Sequence, residues 1–379
     1  MSSRGALGPA DVTDDQLARM VSDLLGSDAA ETTLVSSTAQ DVDYDLPAIT
    51  TAGRYWVRGK VDVRGEELPF ELFVKHVQSW TRSPFFEMVP PEFQELAEAG
   101  VPWRTEPLAY RSDLGDRLPD GLRMPRAVGV FDLDDKSSAI WLEVVQTDGA
   151  MWDHARYARA AHLLGRLAGS EAVRELATVG QFAWTVRDYV NGRLNVQVLP
   201  LLRDPEIWRH PLVASAYDDD LQARLLVAAD RAPDLVEELA AMPEATLHGD
   251  ACPNNLLTDA GSDGFVLIDY GFWNLGPIGF DLTQLLVGDV QVGRQPASEL
   301  PAVEAAILAA YVHGLRAEGC EVPESVVRRA HALQLMVFTG FSTLPFEHLE
   351  RHPTAALQRD AAGRAAIARL SLDLLDATA

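Results

Sequence analysis

The chain has 379 residues, 47% apolar and 23% charged, enough to bury a sizeable core and too apolar for disorder; the length suits two or three domains, or one enzyme of two lobes. Lys plus Arg number 32 against 56 Asp plus Glu, a net charge of −24 that repels phosphate backbones and anionic headgroups and so speaks against nucleic acid and membrane surfaces as partners. The same charge could draw in a cationic substrate, or simply follow an acidic composition common to the host. No apolar run reaches the ~18 residues of a membrane helix, no signal peptide is visible near Met1, and Cys252 and Cys320 are the only cysteines. A cytoplasmic, reduced setting is expected.

In chain order, Leu17, Met20, Val21, Leu24 and Leu25 recur at helical spacing within Asp14–Leu25. From about residue 33 to 77 the pattern turns to strands. Tyr55–Val63, a turn at Arg64–Glu67 and Phe70–Val77 read as a β-hairpin. Helical potential follows around Pro91–Ala99 and Thr105–Leu114, and strands return at Met124–Asp132 and Ala139–Val145. From residue 152 the chain reads as mostly helical. Ala160, Leu163, Leu164, Leu167 and Ala168 share one face, expected to close at Gly169; further helices are expected from Leu221, along Val303–Leu315, and over Val326–Phe338 and Ala355–Leu375. The expected fold class is α+β: a β-rich N-terminal lobe with a leading helix (1–146), and a larger helical C-terminal lobe (147–379), divided near Thr147-Asp148-Gly149.

One β signal interrupts the helical part. Asn255–Thr258 and Phe265–Asp269 flank the Gly-, Asp- and Ser-rich segment Asp259–Gly264, which reads as a hairpin. Its antiparallel register sets Thr258 against Phe265 or Val266, so Asn255 lies beside Ile268 or Asp269. Asp250 stands just upstream, in the loop from His248 to Pro253. An Asp, an Asn five residues on and an Asp at a strand end make an oxygen-rich set of the kind magnesium prefers. Phosphoryl transfer needs such an ion, a residue that orients the attacking hydroxyl, and a lysine for the phosphates. The chain has only three lysines, Lys60, Lys75 and Lys136. Lys75, Asp250, Asn255 and Asp269 follow one another in the order that protein kinases use.

His248-Gly-Asp-Ala-Cys-Pro-Asn-Asn-Leu-Leu257, Val266-Leu-Ile-Asp-Tyr270 and Gly276-Pro-Ile-Gly-Phe-Asp-Leu282 resemble the signature of the aminoglycoside phosphotransferase and choline kinase-like family. The resemblance is specific over 248–282 and looser over roughly 45–345. It implies a bilobal protein-kinase-like fold and magnesium-dependent transfer of the ATP γ-phosphate to a hydroxyl of a small molecule, such as an aminoglycoside-like antibiotic, an amino alcohol or a sugar. Carried over position by position, Asp250 is the expected catalytic base and Asn255 and Asp269 the magnesium ligands. His248 and Asp281 would brace the catalytic loop. Lys75 would bind the phosphates with Glu106 as its acidic partner, against competition from Glu95 and Glu98. Trp141–Val145 would be the hinge, with backbone at Glu143 and Val145 meeting adenine.

Three departures stand out. The phosphate-covering loop is expected near Thr50–Arg54, yet no G-x-G-x-x-G occurs there; Cys252 sits where the family often has histidine; and Tyr270 follows the metal aspartate where another aromatic is usual. A nucleotide-binding pseudoenzyme with a regulatory role is the reading from a different class. The irregular phosphate loop favours it, and the intact Asp250, Asn255 and Asp269 oppose it.

Overall fold

Strict alternation along the N-terminal strands sorts their side chains between two covered faces. The computed structural model describes residues 3–379 apart from 44–47, 148, 150, 184 and 259–261. Strands β1 (Thr32–Asp41), β2 (Thr51–Val63), β3 (Glu66–Gln78), β5 (Ala127–Asp134) and β6 (Ser137–Glu143) form one antiparallel sheet in the order β1-β2-β3-β6-β5. Between β3 and β5 lies the two-residue strand β4 (Leu122–Arg123), which the sequence pattern does not reveal.

One face of this sheet, with Val57, Val61, Leu72, Val74 and Trp141, packs on Leu17, Met20 and Val21 of helix α1 (Asp14–Leu25). The start of α1 is set by a capping box, in which Thr13 Oγ1 accepts from Gln16 N and Gln16 Oε1 accepts from Thr13 N. The opposite face, with Phe73, Val77, Ile140 and Leu142, meets Trp103 and Tyr110. Tyr110 belongs to helix α3 (Thr105–Arg111), which follows the short helix α2 (Gln94–Gly100). Because β3 is covered on both sides, Lys75 on the second face is buried.

The expected location of the phosphate-covering loop needs correction. Thr51–Arg54 is already strand, laddered to β3, and the connection from β1 to β2 runs over Val42–Thr50, whose residues 44–47 lie outside the described residues.

The C-terminal part is helical, with a small β insert. Its helices are α4 (His154–Gly169), α5 (Asp219–Asp230), α6 (Ala232–Ala240), α7 (Phe280–Gln291), α8 (Leu300–Ala317), α9 (Glu324–Gln334) and α10 (Ala355–Ala377); α4, α5, α8, α9 and α10 fall on the expected stretches, and α6 and α7 are additional. Gly169 does not cap α4; it is the last helical residue, and Ser170 turns extended beyond it. The expected helix to Phe338 stops being α-helical at Gln334 and continues as wider π turns over Leu335–Thr339.

Strands β8 (Leu256–Thr258) and β9 (Phe265–Leu267) pair Leu256 with Leu267 and Thr258 with Phe265, the first of the two registers expected. Their connection includes Asp259–Gly261, which lies outside the described residues. Strand β4 adds to β9 in parallel, and β7 (Glu244–Leu247) pairs with β10 (Asn274–Pro277). The fold is thus α+β and bilobal. Asp148, at the expected lobe boundary, also lies outside the described residues.

Candidate active site

Three charged side chains from three elements meet at the cleft face of the sheet. Lys75 Nζ lies 2.6 Å from Glu106 Oε2 and 3.0 Å from Asp269 Oδ1. Lys75 is 5% exposed and Glu106 3% exposed, whereas Asp269 keeps an open side. Burial alone works against the Lys75 ammonium, but the charges of Asp269 and Glu106 outweigh it and hold the lysine above its ordinary range. Burial likewise pushes the Glu106 carboxyl upward, with Lys75 opposing. For Asp269 the same burial is overcome by Lys75, so its carboxylate titrates low.

Glu106 sits in the first turn of α3, where Pro107 is tolerated because its missing N–H has no intrahelical partner there. That turn is tied to the C-terminal lobe: Arg104 N donates to Gln181 Oε1 at 2.9 Å and Gln181 N to Thr105 Oγ1 at 3.1 Å. The competition for Lys75 is resolved, since Glu98 instead pairs with Lys136 at 3.0 Å.

The second half of the site is the loop after β7. Asp281, buried at the start of α7, accepts from His248 N and Gly249 N, both at 2.9 Å, and so fixes the loop's entry. Burial raises Asp281 to about 6 despite those two bonds. Gly249 is required: its φ is 85°, and a Cβ there would overlap the Phe272 carbonyl.

The His248 ring accepts from Asp250 N at 3.4 Å on Nδ1 and donates from Nε2 to Ile268 O at 3.0 Å, the tautomer that both bonds require. Burial lowers its pKa to about 4, so the ring is a neutral brace. Asn255 Nδ2 donates to both Asp250 O and Asp250 Oδ2 at 2.9 Å, which turns Asn255 Oδ1 the other way as an acceptor. Asp250 is pushed up to about 6, first by burial and then by the charge of Asp269, with the Asn255 bond opposing.

Ile268 N donates to Asn255 O at 3.1 Å, so the hairpin holds Asn255 and Asp269 at one end. Asp269 adopts φ 64°, ψ 65°, a left-handed conformation that costs energy for any residue with a Cβ, and from there its carboxylate reaches Lys75. Tyr270 then packs edge-on against Tyr110 of α3 at 5.7 Å and tilts over His248 at 5.2 Å, joining the two halves through aromatic rings.

At the expected hinge, Glu143 N donates to Arg126 O and the Glu143 carboxylate pairs with Arg123. Val145 lies just past β6 and is half-buried. Cys252 is half-buried with its thiol pushed up to about 12 by burial, an inert group. His154 pairs with Glu299, and His162 packs on His313; neither joins the cleft.

Sequence reasoning placed Arg54 only within the expected phosphate-covering loop and did not single out Trp56. Both share the cleft face with Lys75 and Phe73, their direct cross-strand partners, and the Trp56 and Phe73 rings lie 5.2 Å apart. The signal was present as period-two alternation, and would have been found by pairing the hairpin residue by residue.

The set of side chains is an acceptor carboxylate beside an amide, a second carboxylate bonded to a buried lysine, and a buried acid behind that lysine. The sequence model of the phosphotransferase enzyme family matches residues 119–320, a span that includes Asp250, Asn255, Asp269 and Asp281. The chain belongs to this phosphotransferase family. The match begins beyond Lys75 and Glu106, and no curated protein matches the chain. Solved structures that resemble it include the amicoumacin kinase hAmiN in complex with AMP-PNP, Ca2+ and Ami, at 12% identity and TM-score 0.46, covering 92% of this chain and 89% of that one. An aminoglycoside-3'-phosphotransferase of type VIII is 21% identical at TM-score 0.39, covering 79% and 94% respectively. A thermostable mutant of the aminoglycoside phosphotransferase APH(4)-Ia, in a ternary complex with ADP and hygromycin B, is 11% identical at TM-score 0.41, covering 95% and 98%. Within the phosphotransferase family, then, this chain carries its signature loop and hairpin in one hydrogen-bonded unit.

Proposed function

We propose that this phosphotransferase moves the γ-phosphate of ATP, with magnesium, to a hydroxyl of a small molecule: an aminoglycoside-like antibiotic, an amino alcohol or a sugar. Residues 1–146 would be the nucleotide lobe, and 147–379 the catalytic and acceptor lobe. The observation that carries this reading is the contact of one buried lysine, Lys75, with Glu106 and with Asp269 at once, because it joins the sheet to the hairpin end where Asn255 and Asp250 are bonded together.

The donor set fits the ion and nucleotide it would hold. Asn255 Oδ1 and the open side of Asp269 are hard oxygen donors, and two such ligands suit an ion that takes its remaining ligands from phosphates and water. Bound there, magnesium would neutralise charge on the phosphates. The chain's own residues do the rest. Lys75 has one ammonium N–H beyond those facing Glu106 and Asp269, free to meet a phosphate oxygen. The Glu143 carbonyl and the backbone of Val145 offer bonds to a base edge. Asp250, its Oδ2 held by Asn255, has its other oxygen to accept the acceptor hydroxyl's hydrogen bond and orient attack. His248 and Asp281 keep that carboxylate in position. Catalysis of this kind rests on positioning and electrostatics rather than covalent work.

The test is ATP consumption by the wild-type chain across a panel of hydroxylated antibiotics, amino alcohols and sugars, with magnesium and with a chelator. Magnesium-dependent turnover of at least one acceptor is expected. Nucleotide binding without turnover of any acceptor would favour the regulatory pseudoenzyme instead.

A further inference from the structure

Lys75 alone is a sparse provision for a triphosphate. Two of its three N–H donors face Glu106 and Asp269, and Asp250 stands close by as a further carboxylate. In nucleotide sites that lack enough side-chain cations, backbone N–H groups of a glycine-rich loop make up the difference. Here the connection Val42–Thr50 contains no glycine, lysine or arginine in its sequence.

Arg54 stands where that deficit falls. It begins the part of β2 just beyond its pairing with β1, and Val42 N donates to its carbonyl at 2.9 Å. On the other edge it is the direct cross-strand partner of Lys75, so both side chains leave the same face of the sheet, toward the cleft. It is half-buried, and its positive charge reaches both Glu106 and Asp269. A guanidinium in that position offers a planar fork of donors that stays charged at every accessible pH and matches two phosphate oxygens at once.

We infer that Arg54 is a second phosphate-binding cation of the nucleotide site, taking the share of the triphosphate that a glycine-rich loop would otherwise hold. The inference rests on the nucleotide-binding reading above and extends it to a residue outside the family signature. Arg54 acts on phosphate and not on the nucleoside, which makes it testable without turnover.

Calorimetric titration of the full-length chain and of Arg54→Gln and Arg54→Lys with ATP and ADP, each with magnesium, and with adenosine, reads the effect. Arg54→Gln should weaken ATP about tenfold or more, as expected for loss of charge-assisted hydrogen bonds, and leave adenosine unchanged. Arg54→Lys, which keeps the charge but not the fork, should fall between wild type and Arg54→Gln. ATP affinity unchanged in Arg54→Gln, or ATP and adenosine weakened equally, would overturn the role of Arg54 while leaving the kinase reading intact. Wild-type protein that binds no ATP would overturn that reading, and this inference with it.

Discussion

Asp250 and Asp269 are both carboxylates, but their surroundings divide the work between them. Asp250 is raised to about 6 by burial and by its neighbour, and it lies in hydrogen-bond contact with the Asn255 amide rather than with a cation. Asp269 is held low by Lys75 and so remains a charged oxygen donor. Asp250→Asn should therefore retain ATP and magnesium affinity within a few-fold yet lower turnover by roughly 10²-fold or more. Its new amide can satisfy Asn255 only by turning its oxygen there, which aims an N–H donor at the acceptor hydroxyl. Steady-state turnover beside nucleotide titration checks this, and near-wild-type turnover would remove Asp250 from the role. Asp269→Ala should abolish magnesium-dependent nucleotide binding, and Asn255→Ala should weaken it less, because a neutral amide binds a cation less strongly than a carboxylate. Alanine is also a poorer residue than aspartate at φ 64°, so Asp269→Asn, which tolerates that backbone, is the matched variant. Calorimetry that found normal Mg-ATP binding in Asp269→Asn would contradict the metal assignment.

At the scale of elements, the site depends on how closely helices and strands approach. Helices α4 and α8 cross at Gly165 and Gly314, where a Cβ on Gly165 would overlap the Tyr311 carbonyl and one on Gly314 the His162 carbonyl. Backbone cannot swing aside as a side chain can, so Gly314→Ala should cost about 1–3 kcal/mol or more of stability, through forced separation of the two helices. Thermal unfolding should show the loss as a drop of several degrees in Tm, whereas an unchanged Tm would mean that the crossing is looser than its geometry indicates. The sequence made such elements legible where one periodicity ran long. Asp14–Leu25 has the expected limits, and the β8–β9 register, which sets Asn255 beside Ile268, is one of the two expected. It was opaque where tertiary contacts decide. The strand β4 is two residues long and exists only because β9 offers it an edge. Nothing local in Leu335–Thr339 announces π turns, and Gly169 reads as a helix stop although Ser170 supplies the extended conformation. That Lys75, Glu106, Asp250, Asn255 and Asp269 come close together was legible from spacing and resemblance. The position of Arg54 opposite Lys75 was not, because it follows from strand pairing rather than from any motif.

At the scale of the whole molecule, the net charge of −24 produces a field that a ligand feels before it touches the cleft. Within the cleft, Asp250 and Asp269 add negative charge where an acceptor hydroxyl must approach, while Lys75 and Arg54 lie on the nucleotide side of the arrangement proposed above. A cationic, amine-bearing acceptor would be concentrated by that field, and an anionic one repelled. Salt shortens the reach of the interaction, from roughly 20 Å at about 0.02 M to about 4 Å at about 0.5 M. The kcat/KM of the best acceptor, measured across that range with ATP saturating so that nucleotide binding drops out, should fall several-fold. The fall should appear mostly in kcat/KM rather than in kcat, because screening acts on encounter and binding and leaves the bound geometry alone. A flat profile, or a best acceptor that is anionic, would sink the electrostatic argument and leave the kinase assignment untouched. In that case the acidity of the surface serves solubility, and acceptor choice rests on the shape of the helical lobe.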